Sequence, residues 1–286
     1  MKKTYILVDC SHVCYAAFFS LPRLSSKDTN TGVIFGFLKR VLDITKALNT
    51  NRVIFCWDSP ASLRKDKYSW YKERRAKKHR ENGGEEAKIL FAQMEILRNV
   101  VLPMIGFKNQ VLIEGFEADD VIAKLVESRS SNFYVVTNDS DMYQILKNKN
   151  CLGIYKSHKK QLYDVKKFKE EHLGLSPKKW HLVKAIAGCE TDEVPGCPRV
   201  GEKTAVKYLT GNLPETHKTY DMIISKEGRK IKKRNLWLVT LPLPETPEIK
   251  IFKDKFTKKG FLKVCRMYGF ISLENNRHAW YKMMGV

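Results

Sequence analysis

Four short apolar runs in this chain each stop at an acidic residue, and that repetition limits the fold more than any other feature. Ile6-Leu7-Val8 ends at Asp9, and Val53-Ile54-Phe55-Cys56-Trp57 ends at Asp58. The run from Phe107 to Ile113 leads through Gly115 to Glu117, and Phe133-Tyr134-Val135-Val136 leads to Asp139. Each run is too short and too rich in β-branched or aromatic residues for a helix, which predicts buried strands. Between them the period becomes helical, as in Val33, Phe37, Val41, Ile44 and Leu48, or Val121, Ile122, Leu125 and Val126. Strands alternating with helices predict an α/β fold with a parallel sheet. In such a sheet the C-terminal strand ends share one edge, where ligands bind. All four acids then meet there.

The acids are densest in Glu117-Ala118-Asp119-Asp120 and Asn138-Asp139-Ser140-Asp141, five carboxylates at two helix–strand junctions. Carboxylates this close repel, and burying them without a partner costs several kcal/mol. A divalent cation is the usual compensation, and hard oxygen ligands select Mg²⁺ or Mn²⁺ over zinc. A helix N-terminus also welcomes acids through its dipole, so either motif alone would say little. Recurrence at four strand ends points to a metal site drawing on Asp9, Asp58, Glu117, Asp119, Asp120, Asp139 and Asp141.

Charge points to the partner. The 286 residues include 52 Lys and Arg against 31 Asp and Glu, a formal +21, which implies a polyanion such as nucleic acid. The excess is concentrated. Arg64 to Arg80 holds nine Lys or Arg against two acids, interleaved with Tyr68, Trp70 and Tyr71. A solvated helical face is the ordinary reading of such a run. Here it leaves the strand ending at Asp58, so it emerges over the acidic edge, where its cations neutralise phosphates and its rings stack on bases. A second basic run spans Lys226 to Arg234. Gly196 and Gly201 precede a helix expected near Lys203, with Lys207 one turn on, an arrangement that lets backbone N–H groups approach an anion. No apolar run reaches the roughly 20 residues that a membrane span needs, and the N-terminal one is too short for a signal peptide, so a cytoplasmic protein is expected. The seven cysteines contain no Cys-x-x-Cys pair and are expected to be reduced and structural.

Taken together, Leu7-Val8-Asp9, Phe55-Cys56-Trp57-Asp58, Tyr71-Lys72-Glu73-Arg74-Arg75, Glu117-Ala118-Asp119-Asp120, Thr137-Asn138-Asp139-Ser140-Asp141 and the turn from Gly188 to Ala205 resemble the 5′-nuclease superfamily. That group includes flap endonucleases and 5′→3′ exonucleases, and the likeness is greatest to free-standing bacterial and bacteriophage members. The resemblance implies a PIN-like parallel-sheet nuclease core over residues 1–175, with a basic helical arch at about 61–95. A helical duplex-DNA-binding region follows over 176–286, with a helix–three-turn–helix at about 177–211 where K⁺ assists. It implies hydrolysis of DNA phosphodiesters at or near 5′ ends, flaps or branched junctions, in replication or repair, by a monomer using two Mg²⁺ or Mn²⁺ ions. The resemblance extends the expectation to RNA–DNA hybrids as a further substrate class.

By the same resemblance, Asp9, Asp58, Glu117, Asp119, Asp120 and Asp139 serve the first ion, and Asp139, Asp141 and Asp192 the second. Lys72 and Arg75 act catalytically on the scissile phosphate, while Arg64, Tyr71, Arg74, Gly196, Gly201, Lys203 and Lys207 contact DNA. One position departs from the pattern: Cys189 follows the glycine where the family places an acid, and a thiol is a poor ligand for Mg²⁺. The alternative expectation is a non-catalytic or weakened branched-DNA-binding protein of the same fold.

Overall fold

The computed structural model describes residues 2–21, 24–26, 29–74, 77 and 84–286. The apolar runs become strands β1 (Thr4–Asp9), β2 (Val53–Trp57), β3 (Gln110–Leu112), β4 (Asn132–Val136), β5 (Cys151–Lys156) and β6 (Gln161–Tyr163). They form one sheet in the order β3-β2-β1-β4-β5-β6. All neighbours pair in parallel except β5 and β6, which are antiparallel. The third strand is shorter than its apolar run. Phe107 sits ahead of it as a buried anchor, its ring edge-on to Phe55 at 5.1 Å.

Successive strand side chains alternate between the faces, and both faces are covered. Leu7, Ile54, Phe133 and Val135 point into one core, Ile6, Val8, Phe55 and Val136 into the other. The second core is closed by α1 (Cys10–Ser20) and α2 (Gly32–Ala47). After β2 come α3 (Leu63–Lys67), α4 (Gly84–Ile96) and α5 (Leu102–Ile105). The first core is covered by α6 (Ala118–Ser128), α7 (Val165–Glu171) and α8 (Trp180–Ala187). Trp180 lies at its centre, fully buried.

The helices that follow are α9 (Glu202–Leu209), α10 (Tyr220–Ile224), α11 (Lys226–Val239), α12 (Lys258–Met267), α13 (Ile271–Asn275) and α14 (Arg277–Met284). Val200, Ala205 and Leu241 pack into the first core, and Phe261, Val264 and Trp280 into the second. Both cores thus mix residues from either side of position 175. The apolar stripe of α12 finds its cover against α5. No described helix is long and apolar enough to cross a membrane.

Candidate metal and nucleic-acid site

Asp9 is the last residue of β1 and the N-cap of α1, so its direction is set by both elements. One carboxylate oxygen accepts the His12 N–H at 3.0 Å and the other accepts the Thr137 hydroxyl at 3.0 Å. The loop after β4 is braced in turn. The Asp139 N–H donates to Thr137 Oγ1 at 3.2 Å, and Asp139 Oδ1 accepts the Asp141 N–H at 2.7 Å. Asp58, just past β2, accepts the Ala118 N–H at 2.9 Å, which ties that strand end to the start of α6. The parallel register of β2, β1 and β4 therefore brings three acids to one edge, and α6 adds Asp119.

These carboxylates feel one another. Burial pushes the Asp9 carboxyl up to about 7, with Asp58 and then Asp139 adding to the rise. Burial also raises Asp119 well above the carboxylate range, followed by repulsion from Asp139, Asp9, Asp58 and Glu117. Desolvation by surrounding protein, then Asp141, lifts Asp139 to about 6. Acids from four separate segments repel one another at this edge, and carboxylate oxygens are the donors they offer. That donor set fits a hard divalent cation.

Beside it lies a second group. Asp141, Cys189 and Asp192 place one donor atom each within 4.8 Å of one another. Burial, with Asp141 and Asp192 beside it, pushes the Cys189 thiol up to about 12, and its Sγ lies 3.1 Å from Thr191 Oγ1. Two ammonium groups border this group. Lys72 Nζ sits 2.9 Å from both Glu117 oxygens and 3.4 Å from Asp192. Burial opposes the Lys72 charge, but Glu117 and Asp192 outweigh it and raise its pKa. Burial likewise raises the Glu117 carboxyl, but Lys72 and Arg64 outweigh it and hold it below its usual range. Lys72 is at φ +53, a left-handed turn that β-carbon residues seldom adopt, and its N–H is fixed to the Asp192 carbonyl at 3.2 Å. Backbone strain of this kind concentrates at functional sites.

Several expected residues stand elsewhere. Asp120 is fully buried. Its oxygens take both guanidinium nitrogens of Arg64, at 2.5 and 2.8 Å, and the N–H groups of Leu243 and Glu117. With its lone pairs engaged it is a structural tie, not a metal ligand. Arg64, 2% exposed and also bound to the Leu238 carbonyl, is not a DNA contact. Tyr71 is buried too; its hydroxyl donates toward Glu117 and Asp192, leaving no ring face for a base. Gly196 is needed for packing, since a Cβ there would meet the Ala187 carbonyl at 2.1 Å.

Other positions stay on the surface. Gly201 caps α9 with open space around it, and Lys203 and Lys207 are exposed one turn apart. Arg74 is exposed and pairs with Glu193 at 3.4 Å, while its N–H donates to the same carboxylate, fastening the arch root to the 188–195 turn. Arg75 lies outside the described residues.

Sequence reasoning missed Lys184. Its ammonium is 2.7 Å from Asp141, 2.5 Å from Glu202 and 2.8 Å from Ser140 Oγ, with the side chain 4% exposed. Asp141 and Glu202 overcome the effect of burial and keep it charged. The signal was available: a lysine interrupts the apolar stripe Trp180, Val183, Ile186 of α8. A buried cation needs anions opposite.

Fold and site together define a doubly covered, mostly parallel-sheet protein with an acidic, cation-seeking edge bordered by Lys72 and Lys184. Residues 4–173 match the 5′-3′ exonuclease N-terminal resolvase-like domain. A 5′-3′ exonuclease of Aquifex aeolicus is 31% identical over 246 residues, covering 83% of this chain and 80% of that protein. The chain belongs to the 5′-3′ exonuclease family. DNA polymerase I of Bacillus subtilis is 28% identical over 82% of this chain, but the chain spans only 26% of that protein's length. Among solved structures, bacteriophage T5 5′-exonuclease with bound zinc superposes with a TM-score of 0.68 at 17% identity, over 84% of this chain and 90% of that one.

Proposed function

We propose that this chain is a structure-specific 5′-nuclease that hydrolyses DNA phosphodiesters at or near 5′ ends and flaps, dependent on two divalent cations. The observation that carries it is the convergence of Asp9, Asp58, Asp119 and Asp139 from four segments onto one edge, where burial and then mutual repulsion raise the carboxyls of Asp9, Asp119 and Asp139. Hydrolysis of a phosphodiester is the chemistry that such an edge serves when a +21 chain brings a polyanion to it.

Asp9, Asp58, Asp119 and Asp139, with Glu117 at the margin, would hold the first ion, Mg²⁺ or Mn²⁺; Asp139, Asp141 and Asp192 would hold the second. When bound, the ions supply Lewis-acid activation of water and stabilisation of the leaving oxygen. Lys72 holds a positive charge at the border of both groups and orients the scissile phosphate. In the same reading, Arg75 completes that grip. Gly201, Lys203 and Lys207, with K⁺ at the turn, hold the duplex beyond the site through its phosphates. Binding of this kind falls steeply with salt and shows little base preference. The reading extends to a cytoplasmic monomer acting in replication or repair, with RNA–DNA hybrids as a second substrate. A T5 flap endonuclease variant has been solved with DNA and metal ions, with a TM-score of 0.64 at 20% identity, and that precedent supports the choice of substrate.

The test is cleavage of a labelled 5′-flap duplex and a matched blunt duplex in Mg²⁺ and in Mn²⁺, with Asp119→Asn alongside. Cleavage near the junction that the variant loses is the expected result. Tight flap binding with no cleavage in either metal would overturn the enzyme reading.

A further inference from the structure

Resting on the nuclease reading above, we propose that the second cation position is a mixed thiolate–carboxylate site, with Asp141, Cys189 and Asp192 as donors. It would bind thiophilic divalent ions such as Cd²⁺ and Zn²⁺ in preference to Mg²⁺. The two positions at the sheet edge then differ in metal selectivity: an all-oxygen one at Asp9, Asp58, Asp119 and Asp139, and a sulfur-containing one next to it.

The argument starts from which atoms share the space. Sγ of Cys189 and one oxygen each of Asp141 and Asp192 lie within 4.8 Å of one another, the separation that ligands of a single ion need. The donors come from two pieces of chain, Asp141 from the turn after β4 and Cys189 and Asp192 from the 188–195 turn. Their arrangement is fixed from outside. Val194 and Cys189 pair in a short antiparallel ribbon, and Gly188 ahead of it is at φ +81, where a Cβ would strike the Gly196 N–H. Cys189 is therefore held facing the two carboxylates.

The electrostatics then decide between ions. Mg²⁺ is bound almost wholly by charge and demands oxygen. Here each carboxylate already has an ammonium, Lys184 at 2.7 Å from Asp141 and Lys72 at 3.4 Å from Asp192. An ion that relies on charge alone gains little from carboxylates so compensated. An ion that bonds covalently to sulfur gains from the third donor as well. On binding, the Cys189 S–H proton is released to solvent and the thiolate takes its place on the ion, so affinity rises with pH.

The experiment titrates metal-stripped full-length protein with Cd²⁺ and follows the near-ultraviolet sulfur-to-cadmium charge-transfer absorption, with binding measured in parallel by calorimetry. One equivalent of band intensity is expected for the parent. Cys189→Ser should abolish the band and weaken Cd²⁺ binding by at least about tenfold, the scale that loss of even an outer partner produces. Cys189→Asp should show no band and bind Mg²⁺ more tightly than the parent. Both variants are checked for folding by circular dichroism. A band that survives in Cys189→Ser, or Cd²⁺ binding to the parent without any band, overturns the proposal. Flap cleavage in Mg²⁺ without a Cd²⁺ band leaves the nuclease reading standing and removes this one; a band without cleavage in any metal does the reverse.

Discussion

Asp120 is the residue on which sequence pattern and tertiary structure disagree most, and replacing it with alanine separates them. The carboxylate is 0% exposed and Arg64 opposite it is 2% exposed. Two guanidinium nitrogens and two backbone N–H groups converge on its oxygens at 2.5 to 3.2 Å. Asp120→Ala leaves a guanidinium buried without a counter-ion, and breaking a buried pair from one side costs about 3–5 kcal/mol. For a chain of this size that corresponds to roughly 6–15 °C in Tm. Asp120→Leu with Arg64→Met removes both charges and should recover much of the loss, because a packed apolar pair replaces an ion pair at little cost. The assay is thermal unfolding with and without Mg²⁺, set against Asp119→Asn. Asp120→Ala should fall in both conditions and keep its metal-induced rise. Asp119→Asn should lose the rise while its metal-free Tm stays level or increases, since it relieves repulsion. If Asp120→Ala melted within about 2 °C of the parent but lost the metal response, the assignment of Asp120 as a structural tie would be refuted.

Three other outcomes are expected. The metal-stripped protein should become less stable as pH rises from about 4 to 8. Asp9 (to about 7), Asp119 and Asp139 (to about 6) have folded pKa values above their unfolded ones, so the folded state binds more protons and stability is lost as pH climbs through the folded values. Melting curves across pH check this, and saturating Mg²⁺ should flatten the dependence. Lys72→Ala should slow single-turnover flap cleavage by about 10²–10³-fold, the scale for removing one positioned charge-stabilising donor, with flap affinity little altered; unchanged cleavage would remove Lys72 from the chemistry. Gly188→Ala should destabilise by on the order of 1–3 kcal/mol, read from denaturant unfolding, because φ +81 with ψ −179 is a glycine conformation and a Cβ would meet the Val194 carbonyl at 2.4 Å.

Much of the architecture is legible without coordinates. The period changes mark the four strands that lead to acids and the helices after β1 and Glu117, since a buried parallel strand and an amphipathic helix require different apolar spacings. The acid at each strand end is equally legible. Parallel pairing gathers the C-terminal ends whatever the order of strands, so Asp9, Asp58 and Asp139 had to share an edge. The covering of the two sheet faces was not legible. Which apolar stripe covers which face depends on long-range packing, and α12 and α14 return to the side occupied by α1 and α2.

Within the site, the dividing line runs between neighbours. Asp119 and Asp120 are adjacent in sequence, yet successive residues of a helix point about 100° apart, and one reaches the acidic edge while the other reaches Arg64. Arg64 and Tyr71 read as surface cations and stacking rings because composition reports charge and aromaticity but not burial. Lys184 interrupts the apolar stripe of α8, but its partners, Asp141 and Glu202, are brought to it only by folding. The sequence alone determined the kinds of elements, the edge where the acids gather and the basic segment above it. Only the tertiary structure decided which carboxylates face the shared space and which are neutralised by a buried cation. That choice depends on contacts between segments up to 174 residues apart, which no local pattern encodes.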